Sequence, residues 1–273
     1  MSKWTETQSG VTNARPLAEW PPVQQTPTTA VDAILQALGS TDFHAPSQGG
    51  RTRSSWGGEW MWEHLQLYAP LACIAQAFRD GTAVCVTDGS YQRHVNPTLS
   101  GAGWLLYCAA TDQILVTDSF VEDHVKAGSY SGEVLGMLVI DLFSLATKHH
   151  FSITSAWFGT ICCNSKGVIY WARQWKKHIA PGIANVDLLQ VLSSLHHRLG
   201  NLFSYEHVYG QQDQFQRGED LPLTAQLNCR CDQLTKQAVQ WNWNSCHRNW
   251  PQYLWARSNK PQTLKTTYAL KPG

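Results

Sequence analysis

The sequence predicts an α/β protein built on a mixed five-stranded sheet flanked by helices. Three observations point there. Short β-branched runs separated by turn signals fill residues 82–121. A long stretch, residues 129–150, is apolar at spacings of three and four. Strand-like and helix-like segments then alternate to residue 240, and such an order packs helices onto the faces of one sheet.

The elements follow in chain order. Residues 1–50 carry Thr, Gln, Pro, Ser and Gly clusters such as "PPVQQTPTTA" and "APSQGG", and read as a disordered or linker segment. Only "VDAILQAL" shows helical periodicity there. Residues 51–82 contain "GGEWMWEHLQLYAPLACIAQAFRDG", apolar at helical spacing and stopped at Gly81, which predicts a lead-in of one or two helices.

The unit at 83–240 opens with three strands, "TAVCVTDGS", "GAGWLLYCA" and "ILVTDSFV", whose short connections predict an antiparallel meander. "SYSGEVLGMLVIDLFSLATKHH" is a buried helix and "SAWFGTICC" a fourth strand buried on both faces. "SKGVIYWARQWKKH" and "NVDLLQVLSSLHHRL" are helices, "FSYEHVYG" a fifth strand, and "TAQLNCRCDQLTKQAVQ" the last helix. Residues 241–273, rich in Trp and Asn with weak periodicity, read as a C-terminal tail, either for docking or as the stub of a longer polyprotein.

Composition excludes several classes. Twenty-one basic and twenty acidic residues give a net charge of +1, so the overall field does not favour nucleic acid, although a local basic patch still can. No apolar run reaches the ~18 residues of a membrane span. "MSKWTETQSG" lacks the basic-then-apolar layout of a secretory signal, so the expected setting is intracellular, cytoplasmic or nuclear. The eight cysteines, at 73, 85, 108, 162, 163, 229, 231 and 246, do not form paired C-x-x-C knuckles. They read as reduced, mostly buried thiols, and a cysteine-bound metal is the disfavoured alternative.

Acidic residues fall at telling places. Asp88 ends the first strand, Glu133 lies in the first turn of the long helix, and Asp232 lies inside the last helix. Each alone is more simply an exposed or paired carboxylate. Three gathered at one sheet edge would repel one another without cations, and hard oxygen ligands suit Mg²⁺.

At this point the chain resembles the type 1 ribonuclease H family, over residues 83–240. "TDGS" resembles the first-strand Asp motif, at Asp88, and "SYSGEVLGML" the Tyr-x-Ala-Glu helix start, at Glu133, with Gly132 in place of Ala. "NCRCDQLTKQA" resembles the closing Asn-x-x-Cys-Asp-x-Leu-Ala motif, at Asp232. "CNSKGVI" resembles Cys-Asp-Ser-Lys-Gly, with Asn164 at the position of a metal carboxylate. "VYGQQD" resembles Lys-Gly-His-Gln-Asp, with Gln211 at the position of a mobile His. The flavour, including "EDLPLTAQLN", is closest to domains ending retroelement polyproteins, which makes membership of a larger reverse-transcriptase polyprotein an expectation.

The resemblance implies a ribonuclease H-like fold and two-metal hydrolysis of the RNA strand of RNA–DNA hybrids, with Asp88, Glu133 and Asp232 holding Mg²⁺ or Mn²⁺. Asn164 offers one neutral oxygen instead of a charged pair, and Gln211 cannot shuttle a proton near neutral pH. Hydrolysis and ion binding are therefore expected to be impaired. His207, four residues before Gln211, is not expected to replace it, and Asp213 is a minor candidate for the ions. Lys166, Arg173, Lys176 and Lys177 interleave with Trp171 and Trp175 as in the family's basic handle for duplex binding. A solvated basic helix with its Trp residues in the core explains that pattern equally well. The residues around Ser90 and Asn96 are candidates for contact with 2′-hydroxyls. Two functional classes thus share one fold: an impaired hybrid endonuclease, and a non-catalytic nucleic-acid-binding or structural module.

Overall fold

A computed structural model describes residues 61–248, apart from 63, 94–95, 124–126, 201, 215–216 and 218–219, with the backbone alone described from 241. The linker reading of 1–50, its periodic stretch and the end of the tail lie outside the described residues.

One mixed sheet organises the chain. Its strands are β1 (Gln66–Leu67), β2 (Ala83–Tyr91), β3 (Leu99–Cys108), β4 (Gln113–Asp123), β5 (Gly159–Cys163) and β6 (Phe203–His207). The spatial order is β1-β4-β3-β2-β5-β6, with β2, β3 and β4 antiparallel and β5 and β6 parallel to β2. The meander and both parallel strands are those the sequence predicts. The sixth strand is an addition: Gln66 and Leu67 pair with Thr117 and Val116, inside a segment whose apolar spacing reads as helix. The lead-in helix proper is α1 (Leu71–Arg79).

Helix α2 (Ser129–His150) begins and ends where the periodicity places it. No apolar run of membrane-spanning length is expected from the sequence, but this helix is long and apolar enough by composition; 94% of that window is buried within the protein. Its apolar side chains join the larger core with α1 and with α4 (Val186–Leu199). Helix α3 is shorter than expected, Lys166–Arg173, so Trp175, Lys176 and Lys177 lie on the turn after it. That turn is pinned elsewhere, because Ser193 Oγ donates to the Trp175 carbonyl at 2.6 Å. The last helix, α5 (Leu223–Arg248), runs eight residues past the expected end at 240 and packs on the opposite face of the sheet.

Glycines set how close the helices come. A Cβ on Gly136 would stand 1.8 Å from Thr87 Oγ1, and one on Gly132 would stand 2.4 Å from the Gly101 carbonyl, so α2 lies directly on β2 and β3. On the other face, a Cβ on Gly103 would meet Thr235 Oγ1 at 2.5 Å and the Cys231 carbonyl at 2.6 Å. The "GAG" of β3 is therefore a seat for α5. Gly136→Ala is expected to cost about 3 kcal/mol, because Thr87 is buried and hydrogen-bonded to Gly103 and has no room to retreat. A urea titration against the unmodified chain measures it.

Candidate active site

Asp88 does not end its strand as the sequence reading has it: it is the sixth residue of β2, which pairs with β3 as far as Tyr91, and it follows directly on Thr87, which pairs with Cys163 of β5. The adjacent cysteines face opposite ways, as strand neighbours must. Cys162 packs with the α5-side core and Cys163 with the α2-side core. Of the seven described cysteines six are buried, all are free thiols, and Cys73 is exposed.

The chain leaves β5 at Asn164, and that residue turns back on Asp88. Asn164 Nδ2 donates to Asp88 Oδ1 at 2.8 Å. From α5, Asn228 Nδ2 donates to Asp88 Oδ2 at 3.3 Å, and Thr235 Oγ1 donates to the Asp88 carbonyl at 3.3 Å. Glu133, from the first turns of α2, is 4% exposed; it shares a hydrogen bond with Asp88 and accepts from Cys163 Sγ at 3.5 Å. Asp232 is near enough for its charge to act on Asp88, but its Oδ2 is held at 2.5 Å by Lys236 Nζ, one turn further along α5.

The electrostatics follow from burial. Desolvation, then the Asp232 charge, raises Asp88 from an ordinary 3.8 to about 6, against the lowering effect of its hydrogen bonds with Glu133, Asn164 and Gly89. Burial, then Asp88, pushes Glu133 well up. The folded Asp88 thus keeps a proton that the unfolded chain releases between about pH 4 and 6. Its stabilising contribution is full below about pH 4 and is lost as pH rises through about 6. The shift of about two units corresponds to about 3 kcal/mol. Relative to Asp88→Asn, the unmodified chain is expected to lose about 2 kcal/mol between pH 4.5 and pH 7.5. Urea midpoints of both proteins at the two pH values test this, and a pH-independent gap would contradict it.

Toward a pair of ions this cluster offers three carboxylates and two neutral amide oxygens. Each Asp88 oxygen already accepts an amide N–H, Asp232 is engaged by an ammonium, and the buried Asn164 and Asn228 carbonyl oxygens, which lack hydrogen-bond partners, carry no charge. Among the described residues, no group of three or more His, Cys, Asp or Glu side chains is arranged to hold a metal. Asn228 and Lys236 were not singled out from sequence. Both lie four residues from Asp232, and that spacing alone puts them on its face of the helix.

The loop after β6 closes over Asn164. A Cβ on Gly210 would stand 3.2 Å from Asn164 Nδ2, a tight contact in which the amide would have to give by a few tenths of an ångström. Gln211 is exposed with φ of 55°, in the left-handed region. His207 stands nearer than its spacing suggested, with Nε2 3.2 Å from the Asn164 carbonyl. Burial and then Lys166 lower its pKa. Asp213 acts electrostatically on Cys229 and on Lys236, both on α5.

The basic residues are less uniform than a handle requires. Lys166 is exposed at the first position of α3. Arg173 donates to the Tyr205 carbonyl and so braces β6. Trp175 is half-buried, with its ring 5.8 Å from that of His197 and Lys176 Nζ 5.0 Å above it. Lys177 lies 5.4 Å over the Tyr170 ring. Ser90 is half-buried on β2, two residues past Asp88.

No protein-family model and no curated protein matches the chain. Solved structures do resemble it in fold. The PFV RNase H domain is 14% identical, with a TM-score of 0.45, over 59% of this chain and 95% of that one. LC11-RNase H1, isolated from compost and solved in complex with an RNA/DNA hybrid, is 14% identical with a TM-score of 0.40, over 59% of this chain and 98% of that one. The protease-reverse transcriptase of prototype foamy virus is 15% identical with a TM-score of 0.42, over 58% of this chain but only 21% of the viral protein.

Proposed function

We propose that this chain is a ribonuclease H-like domain that takes RNA–DNA hybrids, with two-metal hydrolysis impaired at Asn164 and Gln211 and with weak binding of Mg²⁺ or Mn²⁺. The observation that carries the reading is the amide of Asn164 donating to Asp88 at 2.8 Å, where the motif order calls for a carboxylate. Lys236 on Asp232 supports it as a protein-borne cation in the same cluster, beside the neutral amide. The site is neutralised from within, and grip on a duplex does not depend on ions. A non-catalytic module of retroelement origin, whether free or part of a larger reverse-transcriptase polyprotein, is the second reading. Tyr209 favours that reading, because it exposes an aromatic ring where the motif has Lys. An intracellular setting accompanies both.

Grip is the part to test first. Anisotropy of a labelled hybrid in EDTA is expected to show binding that weakens with salt at a slope near −2, since Lys166, Lys176 and Lys177 supply roughly three phosphate contacts at ~0.7–0.9 each. Lys176→Ala with Lys177→Ala should flatten the slope by nearly two. Absence of binding, or a slope that the double variant leaves unchanged, would refute the proposed grip.

A further inference from the structure

Three large apolar side chains stand exposed among the described residues: Trp157, Tyr170 and Tyr209. Trp157 lies over Gly81, at the far end of β2 from Asp88, and Tyr170 is covered by Lys177. Tyr209 differs in exposure and in position. It is 68% exposed, and it belongs to the loop that closes on Asn164.

The ring is also held. His207 meets it edge-on, with centroids 4.9 Å apart at 86°. The backbone beneath it is pinned, because Gln212 Nε2 donates to the Tyr209 carbonyl at 2.8 Å. His207 in turn touches the Asn164 carbonyl, so the aromatic pair is fixed relative to the carboxylate cluster. A single exposed ring is ordinary by itself; this one is distinguished by being held in place beside the carboxylate cluster. Lys166 stands close enough to His207 for its charge to act on that ring.

We propose that Tyr209 is the stacking surface of a subsite for one unpaired nucleotide, with His207 fixing the ring and Lys166 facing the adjoining phosphate. The inference rests on the nucleic-acid reading above and narrows its substrate. A paired base inside a duplex has both faces covered by its neighbours. An exposed ring beside the duplex therefore gains stacking only from a base that has left it. Stacking is tolerant of base identity, so the preferred ligand is a hybrid with a single-stranded overhang, of any sequence.

The experiment compares three fluorescent ligands in EDTA: a blunt hybrid, the same hybrid with a short RNA or DNA overhang, and the overhang strand alone. Proteins are the full chain, Tyr209→Ala and Tyr209→Phe. The overhang is expected to tighten binding about tenfold; Tyr209→Ala should abolish that gain while holding blunt affinity within about twofold, and Tyr209→Phe should keep it. Equal affinity for blunt and overhang hybrids in the unmodified chain overturns the subsite. Equal weakening of both by Tyr209→Ala overturns it as well. Failure of the blunt hybrid alone counts against the hybrid reading and not against the stack, because Tyr209-dependent binding of the lone strand still reports the subsite.

Discussion

Asn164→Asp is expected to give a protein that cleaves the RNA strand of a labelled hybrid in Mg²⁺ or Mn²⁺, whereas the unmodified chain leaves the hybrid intact. The substitution removes an N–H donor from Asp88 and places a third carboxylate beside it. At an effective dielectric near 20, a unit charge a few ångströms away is worth roughly 4 kcal/mol. Divided between ion affinity and transition-state charge, that allows a gain of up to about a thousandfold in rate. The same change has a cost without ions. Asp88 and Glu133 already hold raised pKa values, so another carboxylate in contact should destabilise the variant by about 2 kcal/mol in EDTA. Mn²⁺ should restore that stability in the variant and do little for the unmodified chain. Melting temperature with and without Mn²⁺ separates the site from the assay. Cutting by the unmodified chain would show that Asp88, Glu133 and Asp232 suffice and that the inferred impairment is wrong. Silence from both proteins, with hybrid binding intact, would assign the chain to the non-catalytic reading.

Lys236 bears on the same experiment. Its ammonium sits on Asp232 and feels Asp213 and Asp88 as well, so it competes for the charge that an incoming cation needs. Adding Lys236→Ala to Asn164→Asp should therefore lower the Mn²⁺ concentration needed for the thermal shift.

What the sequence made legible was what periodicity and motif order encode. Helix α2 and the three meander strands follow from apolar spacing strong enough to dominate local propensity. Asp88, Glu133, Asn164 and Asp232 converge because the sheet order brings their elements together, and motif order implied that convergence. The failures have separate physical causes. A two-residue strand such as Gln66–Leu67 is too short for any period, and its pairing with β4 is a tertiary fact. Helix α3 ends at Arg173, and the turn after it is held by Ser193 Oγ donating to the Trp175 carbonyl from eighteen positions away, a tertiary contact that no local period encodes. Helix α5 continues through "WNWNSCHR", where the pattern is weak, so its reach past 240 was not visible. Within the site, Asn228 and Lys236 share the face of Asp232 at helical spacing and were readable in principle. Tyr209 was not, because exposure is set by how the loop closes.

Deep in the larger core, His196→Leu is expected to cost the fold about 4 kcal/mol. His196 Nε2 lies 2.7 Å from Asp141 Oδ2 and 2.9 Å from the Tyr205 hydroxyl, joining α4, α2 and β6. Both ionisable partners are almost wholly buried, at 2% and 0% exposure. Burial, then Asp141, pushes the Tyr205 hydroxyl well up, so it remains neutral. The single substitution strands a carboxylate in apolar surroundings, and removing one member of a buried pair costs about 3–5 kcal/mol. For a domain of this size that is a fall in melting temperature of about 10 °C. Removing both members tells a different story. Asp141→Leu with His196→Leu replaces two desolvated groups by apolar ones of similar bulk, and such exchanges are often neutral or stabilising. The double variant is therefore expected to melt within a few degrees of the unmodified chain and above either single variant. If the double variant is as unstable as the sum of the singles, the pair is not compensating itself, and the Tyr205 hydroxyl, left without its imidazole, carries the cost. That last result would make the Tyr205–His196 bond, on the strand that leads into the Tyr209 loop, a contact that joins Arg173 in fixing β6 against the helices.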